Sequence, residues 1–240
     1  MTDIGAIAAA LLANLTIAGG AAAQAAIGMG LNLFAVPILA LIDPVYVPGP
    51  VLLHSFLLAS AASWRLRADI DFRELGISLA GLIAGTAIAA ALLTYLPAQQ
   101  LPRLFGIIVL AAVAITAAGY RLALTPRRLL AASASAGIMG TIAGVHAPPI
   151  ALIYQHESPA RIRSALLPFF VAANAVSLLA LIAIGLFGWR EFLASILLLP
   201  GLVIGYLVSP WLIRVMSARL IRACILAISA ASGLALALKG

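Results

Sequence analysis

Two glycine- and proline-rich stretches of an otherwise apolar chain hold the residue types best suited to bind a ligand. The first reads Gln24-Ala-Ala-Ile-Gly28-Met29-Gly30-Leu-Asn32-Leu-Phe-Ala-Val-Pro37, the second Gly137-Ile-Met-Gly140-Thr141-Ile-Ala-Gly144-Val-His146-Ala-Pro148-Pro149. Glycine lets a backbone turn tightly and come close to a ligand. A helix that restarts after such a break points free N–H groups and the positive end of its dipole into the gap. Two such starts facing each other would hold one small anion. The candidate binding set is Gln24, Gly28, Met29, Gly30, Asn32, His54, Gly140, Thr141, Gly144, His146 and Asn174, with Ser55 and Ser177 as further polar neighbours. The alternative for the glycines is close helix packing through small residues; for Asn174 it is an interhelical hydrogen bond.

His54 and His146 are the histidines set within apolar runs. An ionisable group in such a place is a functional candidate, and imidazole titrates near neutral pH. Either can couple proton movement to transport or donate to an anion; the alternative is a satisfied packing role. No carboxylate or thiol accompanies them, so no metal site is expected. His156 beside Glu157 reads as a solvated loop residue, and the lone Cys224 as core packing without a disulfide. The chain contains no phosphate-binding GKS or GKT loop, Ser–His–Asp pattern or HEXXH helix. Neither an ATP-driven pump, an enzyme nor a cofactor is expected.

These residues need a scaffold, and the composition says which. The chain has 240 residues, 65% hydrophobic and 9% charged, with a mean hydropathy of +1.19. Soluble domains carry about 25% charged residues, so a water-soluble globule, a disordered chain and a nucleic-acid-binding domain are excluded. An all-α polytopic membrane protein is left. A bilayer core of about 30 Å takes about 20 apolar residues, and six runs are ordinary candidates: Val47–Trp64, Leu75–Leu96, Leu104–Tyr120, Ser164–Phe187, Phe192–Ile213 and Leu220–Leu238. The glycine-broken stretches, Ile4–Ile42 and Leu129–Gln155, are unlike them. As single helices they would run about 58 Å and about 40 Å.

The two parts of the chain resemble each other. A shift of 112 residues sets Gly28 on Gly140 and Pro37 on Pro149; one of 120 sets Gly81 and Gly85 on Gly201 and Gly205; one of 114 sets Phe56 on Phe170 and Ser60 on Asn174. The glycine pairs read as faces for close helix contact, within the chain or between two copies. Residues 1–125 and 126–240 are therefore expected to be repeats, each a broken segment (4–42 and 129–155) followed by three spans. If both broken segments cross once, the basic residues divide 8 against 6. If both are re-entrant, eleven share one face: Arg65, Arg67, Arg73, Arg121, Arg127, Arg128, Arg161, Arg163, Arg214, Arg219 and Arg222. Only Arg103, Arg190 and Lys239 stay opposite. The positive-inside rule favours the second arrangement. Three crossings per half invert the second repeat and place both termini outside. Ile4–Ile27 alone is long enough to cross, so the first hairpin is expected to reach deeper. Acidic and basic residues alternate from Arg65 to Glu74, through Asp69 and Asp71, as in an ion-paired turn. The arginine- and alanine-rich composition suits a bacterial inner-membrane protein, and Met1-Thr2-Asp3 lacks the basic front of a signal peptide.

The Gln24…Gly28-Met29-Gly30…Pro37 segment, its counterpart Gly140…Gly144…Pro148-Pro149, and Arg161-Ile-Arg-Ser…Asn174 together resemble the TauE/SafE family of membrane permeases, the sulfite exporters, over essentially the whole chain. The resemblance implies transport of sulfite, sulfonates or other small organic and sulfur oxyanions. His146 and the Pro-Pro pair depart from the family pattern, so the resemblance implies a substrate class rather than one anion. Inverted repeats with paired broken helices imply alternating access around a midplane site. Export would follow the membrane potential; import would need proton symport. Two alternatives stay open. One is an enzyme acting on a lipid or quinone head group through Arg161, Arg163, His156 and Glu157. The other is a non-transporting subunit of a membrane complex.

Overall fold

The computed structural model describes residues 3–28, 30–64, 70–118 and 122–239. Met29, Arg65, Arg67, Asp69 and Arg121 lie outside the described residues. Every regular element among those described is helical. The first broken stretch forms α1 (Asp3–Ile27) and α2 (Leu31–Ile42); α3 (Gly49–Ser63), α4 (Phe72–Tyr95) and α5 (Leu101–Ala118) follow. The second forms α6 (Pro126–Ala143) and α7 (Ala147–Tyr154), followed by α8 (Pro159–Ala183), α9 (Trp189–Val215) and α10 (Ala218–Lys239).

Helix starts follow local chemistry. Asp71 accepts from the N–H groups of Arg73 and Glu74, Thr125 from that of Arg128, and Ser158 from that of Arg161. The Glu191 carboxylate reaches back to the Gly188 N–H. The Thr125 cap and Pro126 start the second broken stretch three residues before the expected Leu129.

Among the described residues seven helices are long and apolar enough to cross a membrane: the six expected runs and Gly5–Ile27 within α1. Their outer faces carry exposed Ile83, Ile88, Val203, Ile204 and Leu207, as lipid contact requires. Trp189 and Trp211 are 71% and 61% exposed and lie about 33 Å apart along α9. That is the spacing of two aromatic belts around a bilayer core. The chain is a polytopic membrane protein.

Two close helix pairs interleave the early and late parts of the chain. α4 packs along α6, and α1 along α9. A Cβ on Gly81 would lie 2.3 Å from the Leu130 oxygen, and one on Gly85 2.0 Å from the Ala134 oxygen. Gly201 and Gly205 stand in the same way against the oxygens of Asn14 and Ala18, each at 2.3 Å. In both pairs the numbers rise together, so the partners run in the same direction. Gly85→Val is therefore expected to lower stability by about 3 kcal/mol or more, because backbone must move to admit the side chain. Gly76→Ala, on the same helix with nothing within 4 Å, is expected to be neutral or slightly stabilising. Melting of the two variants in detergent checks the contrast.

Helix directions sort the charges. Arg161 of α8 pairs with Glu74 at 2.6 Å and Asp71 at 3.5 Å at the start of α4, and the Tyr154 hydroxyl, at the end of α7, donates to Glu74 at 2.9 Å. Glu74 N–H, then that of Arg73 and the Arg161 guanidinium, holds the Asp71 carboxyl below its ordinary range. Since α6 runs parallel to α4, the hairpin of α6 and α7 begins and ends at one end of the bundle. Arg73, Arg127, Arg128, Arg161, Arg163, Arg214, Arg219 and Arg222 belong to that end, and Arg103, Arg190 and Lys239 to the other. The hairpin of α1 and α2 starts and finishes at the other end: α1 follows α9 from its start, and Gly49, beyond α2, packs on Phe187. Cys224 is exposed rather than in the core. The buried stripe of α10 runs through Ile221, Ile225, Ser229, Gly233 and Leu236, and position 224 falls beside it.

Candidate functional site

Both helix breaks are made by glycines in conformations that side chains resist. Gly28 has φ +82°, Gly30 φ +126° and Gly144 φ +74°. Gly144 ends α6 with its N–H on the Gly140 oxygen at 2.7 Å, the bond of an αL helix closure, while the Val145 N–H reaches the Met139 oxygen at 3.4 Å. Gly28 and Gly144 are thus the glycines that follow α1 and α6, whereas Gly140 lies within α6. Gly140 serves another purpose. It lies under the His146 ring, where a Cβ would stand 2.0 Å from Cδ2.

The two hairpin tips meet. Asn32, second residue of α2, donates through Nδ2 to the Gly144 oxygen and accepts from the Ser55 hydroxyl on α3. The Leu33 oxygen accepts from Ser229 at 2.8 Å, the twelfth residue of the 22-residue α10; the tips therefore meet about halfway along that helix. Beside this junction lies a cavity of about 240 Å³, lined by Gln24, Gly28, Gly30, Asn32, Ser55, His146 and Asn174. Thr116, Gln155, Ile162 and Arg222 carry its wall to the arginine end. Irregular backbone within a bilayer is tolerated where it lines a cavity, and both breaks do so.

Other candidates lie apart. Thr141 is fully buried behind His146: its hydroxyl donates to Thr86 at 3.1 Å and pairs with Ser177 at 2.8 Å, and Ser177 stands 3.0 Å from His146 Nε2. These hydroxyls tie the second hairpin to α4 and α8. Gly140 and Gly144 support the cavity wall rather than lining it. His54 is fully buried away from the cavity, its Nδ1–H donating to the Pro50 oxygen at 2.6 Å. His156 is exposed. Of the loop cluster of Arg161, Arg163, His156 and Glu157, Arg161 is engaged by Asp71 and Glu74.

The two helix starts differ as anion hosts. α2 begins after Gly30 with no side-chain cap, leaving the N–H groups of Leu31, Asn32 and Leu33 without intrahelical partners. α7 begins Ala147-Pro148-Pro149, and two of its first three residues have no N–H. The expected symmetrical pair of starts is therefore one donor-rich start facing one donor-poor start with a histidine. Sequence reasoning also missed Arg222. It sits in the second turn of α10, donating to the Thr116 oxygen at 2.8 Å; from the sequence it counts only as one of the charges of one membrane face. It is exposed, beside the buried stripe of Ile221 and Ile225, and lines the cavity at its arginine end.

A family model described as Sulfite exporter TauE/SafE matches residues 10–236. The chain belongs to the TauE/SafE family. That match takes in α2, the second hairpin and five of the seven candidate spans completely, and the greater part of α1 and of α10. No curated protein and no solved structure matches the chain. Membership makes this a multi-pass membrane protein of a transporter family, and the residues that line the cavity all fall within the matched region.

Proposed function

We propose that this TauE/SafE protein is a secondary transporter of the bacterial inner membrane that exports a small organic or sulfur-containing oxyanion, sulfite or a sulfonate. The observation that carries the reading is the meeting of two helical hairpins, from opposite ends of the bundle, at a cavity beside the Asn32–Gly144 contact. Residues 1–125 and 126–240 act as inverted repeats, with the binding site near the membrane midplane. The interleaved pairs, α1 on α9 and α6 on α4, support that division. The arginine end is cytoplasmic and both termini lie outside, as the positive-inside rule favours. The cavity, walled toward the arginine end, is then the inward-facing half of an alternating-access cycle.

The α2 start, with Gln24, Asn32 and His146 around it, receives the anion. Donors already fixed by the backbone bind an oxyanion without the desolvation that a buried free cation would cost. The membrane potential drives an anion out of a negative interior; His146, at the cavity, is the group placed to couple a proton if flux runs inward.

Thermal melting of the purified protein with sulfite, thiosulfate, sulfoacetate, taurine and simple carboxylates tests this. At one hundred times Kd a ligand of the native state adds about 2.7 kcal/mol. Selective stabilisation by one oxyanion class is expected. Silence across the panel, with folded protein, would move the weight to an enzyme or a non-transporting subunit.

A further inference from the structure

Arg222 and the side-chain oxygen of Asn174 have no part in joining the hairpin tips, and together they describe a ligand. Among the described residues that line the cavity, Arg222 is the one charged side chain, and none is Asp, Glu or Lys. Its Nη2 is steadied by the Thr116 oxygen at the end of α5, where the helix dipole favours a cation. One turn along α10, the Ile225 side chain abuts Gly30, so the guanidinium and the donor-rich start of α2 belong to the same side of the cavity. They suit an acid group with a single negative charge.

Asn174, on α8, lines the cavity and is 2% exposed. Its Nδ2 donates to the Phe170 oxygen at 2.6 Å, while Oδ1 has no partner among the described residues. Turning the amide over would set Oδ1 against a carbonyl, so the free atom is an acceptor. An anionic oxygen cannot satisfy it; only a donor can. The space is also larger than a bare inorganic oxyanion. About 10–15 Å³ of such space admits one water, so about 240 Å³ leaves room well beyond a small inorganic oxyanion such as sulfite. Phe170, Leu166 and Leu152 supply apolar wall against which a short carbon chain can lie.

We infer that the substrate is a small organic acid whose acid group carries one negative charge and which brings its own hydrogen-bond donor, a hydroxyl or an ammonium group. Its acid group lies toward Arg222 and the start of α2, and its donor on Asn174 Oδ1. This rests on the transport reading above and narrows it.

The test compares hydroxyethanesulfonate with ethanesulfonate, a pair differing by one hydroxyl, as ligands of the purified full-length protein. The hydroxylated member is expected to bind about tenfold tighter. Asn174→Leu should bring both to the weaker value, whereas Asn174→Asp, which keeps an acceptor, should retain a preference. Arg222→Gln should weaken both alike and leave their ratio unchanged. Equal affinities in the wild type, or a preference that survives Asn174→Leu, would overturn the donor requirement while leaving the anion site standing. Should Asn174→Leu fail to fold, the wild-type comparison decides. Unchanged binding in Arg222→Gln would overturn the charge assignment. No binding of either sulfonate, or of any acid in the wider panel, to folded protein would instead overturn the transport reading on which this rests.

Discussion

Gly140→Ala is expected to abolish transport while leaving the chain folded. The added methyl would stand 2.0 Å from Cδ2 and 2.1 Å from Nε2 of His146, closer than any real carbon contact, so the ring must leave its place. Ser177 then loses its imidazole partner but keeps Thr141. The hydroxyl tie between the second hairpin and α8 is thinned rather than cut. A displaced ring moves into the cavity that His146 lines. Overpacking of this kind costs about 1–3 kcal/mol and a lost hydrogen bond about 1 more, which a bundle of this size survives. The same few kcal/mol set against ligand binding is a loss of about a hundredfold or more. Flux into liposomes and melting temperature should therefore part company. A second substitution gives the check: with His146→Ala as well, the methyl has room, and the stability lost to Gly140→Ala should return. Wild-type flux in Gly140→Ala would show that the ring can move freely and has no part in the cavity.

Asn32 carries the other large expectation. Its amide joins the Gly144 carbonyl of the second hairpin to the Ser55 hydroxyl on α3. Asn32→Leu leaves both groups buried without a partner, at about 1–3 kcal/mol each, and separates the tips. Loss of both stability and flux is expected. Asn32→Asp is the more telling variant, being nearly the same shape. It still accepts from Ser55 but turns an oxygen toward the Gly144 oxygen, and it brings a negative charge to the start of α2. Anion affinity should fall by more than about tenfold through like-charge repulsion, with a smaller loss of stability than in Asn32→Leu. Anion binding by Asn32→Asp at the wild-type level would remove the α2 start from the site.

The scaffold is legible in the sequence because its signals are long. Six apolar runs, each near the length of a bilayer crossing, become α3, α4, α5, α8, α9 and α10, and no local detail disturbs them. The two breaks are legible for a different reason: Gly28, Gly30 and Gly144 carry positive φ, which few other residues tolerate. Features that depend on one side chain meeting another far along the chain leave no such trace. Thr141 and Ser177 can be singled out as polar residues, but Thr86 cannot, and nothing in the sequence says that three helices bring the three hydroxyls within hydrogen-bonding distance. Asn14, a single polar residue in α1, inserts its amide between the Leu197 oxygen and the Gly201 N–H of α9; neither sequence neighbourhood hints at the other. His54 and His146 look alike from their surroundings in the chain. Only packing separates the one held against its own helix at Pro50 from the one beside the cavity. Arg222 lies inside the expected run Leu220–Leu238, but nothing in that run shows that it borders a cavity with Thr116 of α5.

Pro148 and Pro149 make the two hairpins unequal partners for whatever lies between them. A ligand bonded to the start of α2 belongs, in mechanical terms, to the first hairpin and travels with it. The second hairpin offers it a ring and an apolar edge to slide past. Were the halves chemically identical, turning the molecule over in the membrane would change nothing, and release would be equally easy to either side. With the donors gathered on one half, the two sides of the membrane meet different release steps. On the alternating-access reading proposed above, the protein has a built-in polarity, and the affinity met from one side of the membrane need not equal that met from the other.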